Sequence, residues 1–177
     1  MKRIFVILLS FLVASYAEGK DKDGNPYYEK GYVGNVGLNV GGTIGRYDEI
    51  GIMTVHGFSF ADGFMLGGGT GILIPLEFDS KERGVSIPVF ADAKYSMYDS
   101  RISPFFEGKF GLVYSTELGA GLIVSPSLGI DIGQWSVNLS YMFQAYNADR
   151  AYDSTIGRFT WTPYRYSSIL VGCTWSF

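Results

Sequence analysis

Eight stretches of the chain alternate apolar with polar or small residues at a period of two: 31–41, 50–60, 64–76, 85–97, 104–115, 119–132, 134–146 and 166–177. That period belongs to a β-strand with two unlike faces, and no 3.6-residue period competes with it. In the fourth, Val85, Ile87, Val89, Ala91, Ala93 and Tyr95 stand against Ser86, Asp92, Lys94 and Ser96. In the seventh, Trp135, Val137, Leu139, Tyr141 and Phe143 stand against Ser136, Asn138, Ser140 and Gln144. The stretches exceed the ~5 or 6 residues of an ordinary strand and suffice for the ~9–11 that cross a bilayer when tilted. In the second and third, Gly51, Gly57, Gly67, Gly68, Gly69 and Gly71 blur the alternation and leave the faces unassigned.

The eighth stretch organises the rest. Ile169, Val171, Cys173, Trp175 and Phe177 form one apolar row, interrupted only by Leu170 on the other face, and the chain ends on that row. An aromatic residue closing an alternating strand resembles the assembly signal at the end of bacterial outer-membrane barrels, where the last strand pairs with the first, and the resemblance implies that role for Trp175 and Phe177. At the other end, Met1-Lys2-Arg3, an apolar run over 4–13 and Ser15-Tyr16-Ala17 read as a secretory leader cleaved after Ala17. The expected organisation is a leader at 1–17, a periplasmic segment at 18–30 and a barrel at 31–177.

Charge decides which face meets lipid. The eight stretches contain only Asp92, Lys94, Glu107, Lys109 and Asp131 as charged residues. A water-facing strand row would carry many Lys and Glu, whereas a charge on a lipid-facing row costs roughly 2–4 kcal/mol at the midplane. The oily rows therefore face lipid and the Ser, Asn and Gly rows, with the five charges, face inward. The reading is all-β: an eight-stranded antiparallel up-and-down transmembrane β-barrel. Connections 61–63, 98–103 and 133 are short and read as periplasmic turns; 42–49, 77–84, 116–118 and 147–165 read as outer loops. Aromatic residues gather near strand ends as two girdles, Tyr32, Phe58, Phe105 and Trp175 among those at the periplasmic rim and Tyr114, Tyr146 and Tyr164 among those at the other. A turn centred between Ser100 and Arg101 sets Asp92 opposite Lys109 and Lys94 opposite Glu107, and these are expected as lumen ion pairs, since a two-residue slip would oppose like charges.

On these features the chain resembles the small eight-stranded bacterial outer-membrane barrels of OmpX and OmpA-transmembrane-domain type. The resemblance implies a porin-like fold in the cell envelope of a Gram-negative bacterium, with outer-membrane lipids and the assembly machinery as partners. The net charge of −3, which becomes −5 once Lys2 and Arg3 leave with the leader, carries no basic stripe, so nucleic acid is not an expected partner. Cys173 is the only cysteine, which excludes an internal disulfide and a Cys-rich metal site. No cofactor is expected.

No catalytic residue is assigned. His56 is the only histidine, near Thr54 and Ser59, with no serine and acid at a recognisable spacing. Glu107 and Asp131 have basic or solvated alternatives as a carboxylate pair, and Gly67-Gly68-Gly69 lacks the Lys-Ser/Thr of a phosphate loop. The function expected is therefore non-enzymatic, structural or surface-interacting, through an outer loop carrying Arg150, Tyr152, Arg158, Trp161 and Tyr164 toward an unidentified extracellular ligand. A narrow conduit for small or hydrophobic molecules stands second, and a lipid-modifying enzyme third. Eight strands enclose only enough room for side chains, which rules out a general porin.

Overall fold

The computed structural model describes residues 25–43, 48–76, 84–153 and 158–177. The leader and most of the segment expected before Lys30 lie outside the described residues. Eight strands follow in chain order: β1 (Lys30–Thr43), β2 (Asp48–Phe60), β3 (Phe64–Pro75), β4 (Ser86–Ser96), β5 (Ile102–Ser115), β6 (Gly119–Ile132), β7 (Trp135–Asp153) and β8 (Arg158–Ser176). Each pairs antiparallel with the next, and β8 returns to β1 to close the barrel. The seam runs from Asn35 opposite Ser176 to Thr43 opposite Ser168. It is extended by Gly34 N to Phe177 O at 3.0 Å and Phe177 N to Gly34 O at 2.8 Å. Every strand thus has two partners, the only sheet arrangement that leaves no unpaired edge in hydrocarbon.

The faces divide as the charge argument requires. Val89, Leu112, Leu128, Leu139, Ile169 and Val171 are exposed on the outer wall, while Asn35, Ser59, Asp92, Lys94, Asp131, Asn138 and Gln144 are buried inside. The interior is nevertheless not wholly polar. Phe90, Val113, Ile123, Met142, Tyr146, Tyr166 and the exceptional Leu170 pack there. Two aromatics expected in the girdles, Phe105 and Tyr146, lie inside instead, 2% and 1% exposed. Both stand on the inward row of their strands, which proximity to a strand end does not reveal.

The glycine-rich strands, unassigned by pattern, owe their faces to neighbours. Gly67, Gly69 and Gly71 alternate inward with Gly68 and Thr70 outward. A Cβ on Gly69 would lie 2.6 Å from Phe90 Cε2, so the glycine makes the room that the Phe90 ring occupies in a close-packed interior.

Two further departures concern connections. The stretch 147–165, expected as a loop, continues β7 and β8 as a paired hairpin from Asp149 opposite Thr162 to Asp153 opposite Arg158, past an irregularity between Asn147 and Asp149. Tyr152, Phe159, Thr160, Trp161 and Thr162 are residues that favour strands, and continued pairing satisfies backbone groups that a loop leaves to water. Arg150, Tyr152, Arg158 and Trp161 fall on this hairpin; their side chains lie outside the described residues. Tyr164 is half-buried against the interior cluster rather than presented outward.

At the opposite mouth, Pro26–Tyr28 forms a 3₁₀ turn, with the Asn25 side chain accepting from Tyr27 N. Tyr27 is buried, its hydroxyl 3.2 Å from Asn35 Oδ1 and 2.9 Å from Ser176 Oγ. Ser59 Oγ donates to Tyr27 O at 2.6 Å, and Tyr28 donates to Ser96 O at 3.0 Å. Residues 25–28 therefore fold back as a plug in the mouth.

Candidate active site on the outer wall

Among the described residues, one polar cluster lies in the lumen and another on the lipid-facing wall. The lumen register is Asp92 opposite Lys109 and Lys94 opposite Glu107. The side chains, however, do not all join their direct opposites. Lys109 lies 3.7 Å from Asp92 but 2.5 Å from Glu107 on its own strand. Lys94 leaves Glu107 and reaches β6, 2.6 Å from Asp131 Oδ1, while donating to Ser136 Oγ at 3.2 Å. Its ammonium also sits 3.8 Å from the Phe105 ring centroid and 4.0 Å from that of Tyr27, within cation–π range. Ser96 and Ser136 hydroxyls both donate to Asp131.

The expected Lys94–Glu107 ion pair is therefore replaced by Lys94–Asp131. The long lysine stem spans the narrow lumen to a carboxylate already held by two hydroxyls, and there the two aromatic faces add to the compensation of the buried ammonium. This cluster ties β4, β6 and β7 together beneath the plug. Among the described residues, Tyr27 in the mouth and these side chains across the bore fill the periplasmic end of the lumen.

The second cluster is on the wall. On β2, Ile52, Thr54, His56, Phe58 and Phe60 share the outward face. Gly34 of β1 lies directly opposite His56, with Tyr32 opposite Phe58 and Val36 opposite Thr54. Tyr32 is thus a diagonal neighbour of His56, within reach of a long side chain. Its hydroxyl meets His56 Nδ1 at 2.5 Å, and the rings stack 6.0 Å apart at 21°. His56 Nε2 lies 3.1 Å from Thr54 Oγ1, which lies 3.1 Å from Asn35 O.

One hydrogen arrangement satisfies the whole chain: Tyr32 donates to Nδ1, Nε2–H donates to Thr54, and Thr54 donates to Asn35 O. In the opposite tautomer Nδ1–H donates to Tyr32 and Nε2 accepts the Thr54 proton. The trio therefore has a hydroxyl nucleophile, an imidazole base and a group that orients the base, the arrangement required for nucleophilic catalysis.

Gly34 makes room for the Phe177 ring. A Cβ there would fall 2.5 Å from Phe177 Cε2, so the Phe177 ring covers this bare backbone beside His56. Sequence spacing alone missed Tyr32, because its place beside His56 depends on the β1–β2 register. The available signal was a lone histidine on an outward row two residues from a hydroxyl.

No family model matches this chain, and neither does any curated protein. Among solved structures, the crystal structure of the outer membrane enzyme PagL matches over 79% of this chain and 97% of that one, with a TM-score of 0.59 and 12% identity. The non-enzymatic assignment is corrected by this finding: it took the lone histidine and the missing Ser-His-acid spacing as grounds against catalysis, yet an enzyme is carried by this same architecture. A filled lumen does not bear on a site assembled on the outer wall. At this identity the likeness concerns the fold, and the chain has the eight-stranded antiparallel barrel of an outer-membrane protein.

Proposed function

We propose that this protein is an outer-membrane enzyme of the small OmpX/OmpA-type barrel architecture that hydrolyses acyl esters of membrane lipids at Thr54, His56 and Tyr32. The observation carrying this reading is the Tyr32–His56–Thr54 hydrogen-bond chain on the outward rows of β1 and β2, beside the exposed Ile52, Phe58 and Phe60. PagL supports it as an enzyme of like fold. Thr54 Oγ attacks the ester carbonyl carbon while its proton passes to His56 Nε2. The tetrahedral intermediate expels the alcohol, which takes that proton, leaving an acyl-Thr54 ester. Water, deprotonated by His56, attacks this ester and releases the fatty acid, and the proton returns to Thr54. Tyr32 holds the ring through Nδ1 and accepts a hydrogen bond when the imidazolium forms.

Within the same proposal, the leader directs export, and Trp175 and Phe177 serve the assembly machinery during insertion into the outer membrane of a Gram-negative cell. The catalytic assignment is tested with purified protein in vesicles made from total outer-membrane lipid, following fatty-acid release by mass spectrometry. His56→Ala is expected to reduce release by at least about 100-fold. Equal release by the wild type and His56→Ala overturns the assignment.

A further inference from the structure

The outer wall around His56 is polarised along the membrane normal. His56 stands four residues above Phe60, where β2 enters the turn to β3, and eight residues from Asp48 at the far end. With a rise of ~3.3 Å per residue and a tilt of ~35–45°, its height above that turn is about 10 Å. The turn end is the periplasmic one by its longest connections: β2–β3, β4–β5 and β6–β7 are joined by 61–63, 97–101 and 133–134, none above five residues, while the far end carries, besides 44–47 and 116–118, the ten-residue 76–85 and the long β7–β8 hairpin. The trio therefore sits in the leaflet facing the periplasm, at the level where ester groups join head to hydrocarbon.

The surroundings form a sequence from charged to apolar in the same direction. Lys30, exposed and opposite Phe60, lies two residues below Tyr32 on the outward row of β1. On the other side of the trio, a groove of 590 Å³ begins at Thr54 and runs away from the turn between Ile50, Ile52, Ile72, Ile74 and Ile87. A cation at headgroup depth, a nucleophile above it and an aliphatic groove above that match a lipid whose head points to the periplasm. A lipid of the opposite leaflet presents its head to the far end and its chains to Lys30.

Resting on the catalytic reading above, we infer that the substrate is a glycerophospholipid of the periplasmic leaflet. Its phosphate meets Lys30, its ester lies at Thr54 and its acyl chain lies along the isoleucine groove. About 13 Å of strand separates Lys30 from Gly34 beside the imidazole, a span bridged by the lysine stem and the glycerol-phosphate arm together. The reaction consumes one water, breaks one acyl ester bond and yields a lysophospholipid and a fatty acid.

The test uses wild-type barrel in vesicles of phosphatidylethanolamine and phosphatidylglycerol and, separately, in bilayers containing lipopolysaccharide as the only acylated substrate. Lysophospholipid is expected in the first and no acyl loss in the second. Lys30→Glu is expected to raise KM for the vesicle phospholipid about tenfold, as reversal of one charge near an anionic surface implies, and Lys30→Arg to restore it. Heat-modifiable mobility establishes that each variant is folded. Acyl release confined to lipopolysaccharide overturns the substrate inference and leaves the catalytic one standing, whereas no release from either substrate overturns both. Orientation is read independently in a Cys173→Ser background carrying Ala61→Cys. A membrane-impermeant maleimide is expected to label it only after the outer membrane is permeabilised, and labelling in intact cells overturns the leaflet assignment.

Discussion

The lumen cluster and the wall cluster solve the same problem differently. Each holds polar side chains away from bulk water, where an unsatisfied group costs several kcal/mol. In the lumen, Lys94, Asp131, Ser96 and Ser136 bind one another, with Lys94 3% and Asp131 1% exposed. On the wall, Tyr32, His56 and Thr54 also satisfy one another, but Tyr32 is 62% exposed. Enclosure makes the first group a staple between strands, because no substrate can reach it. Exposure suits the second to the proposed site, where its hydrogen bonds would be exchanged for bonds to a lipid ester at little cost in folding.

That contrast breaks most sharply at Asp131. Asp131→Ala leaves the Lys94 ammonium buried without its carboxylate and is expected to lower stability by about 3–5 kcal/mol, measured by urea unfolding in lipid vesicles. A loss below ~1 kcal/mol defeats the staple reading. His56→Ala carries the reverse signature: the rate loss of at least about 100-fold, equivalent to about 2.7 kcal/mol, accompanies a stability change within about 0.5 kcal/mol. A large loss of stability in that variant makes the trio structural.

Gly34→Ala lies between the two cases. Its methyl group must displace the Phe177 ring, with an expected cost of about 1–2 kcal/mol and a perturbed seam. Phe177→Asp removes the apolar cover altogether and is expected to lower the heat-modifiable, inserted fraction; unchanged insertion counts against its assembly role. The smallest effect concerns which lysine pair is coupled. A double-mutant cycle of Lys94→Met with Glu107→Met is expected to give under about 0.5 kcal/mol, and one of Lys94→Met with Asp131→Asn more than about 1.5 kcal/mol. The reverse order returns the pairing to the direct opposites.

The barrel was legible because alternation and charge exclusion agree over strand after strand. The β4–β5 register was legible because Asp92, Lys94, Glu107 and Lys109 tolerate no two-residue slip. Legibility failed where neighbours decide. Phe105 and Tyr146 read as girdle residues from their places near strand ends, whereas their inward rows put them in the interior, and the 147–165 hairpin reads as loop because polar residues interrupt its pattern. Tyr27 carries no mark of a plug, since its partners Ser59 and Ser176 are far away in the chain.

By itself, then, the sequence determined a closed transmembrane barrel with its oily rows outward, because lipid penalises every outward charge and every unpaired edge, and these penalties are written residue by residue. Only the tertiary structure decided that Lys94 crosses to Asp131, that Gly69 accommodates Phe90 and that Tyr32 orients His56. Those relations depend on cross-strand register in glycine-rich segments and on how far a side chain reaches across a narrow lumen, neither of which a period of two encodes.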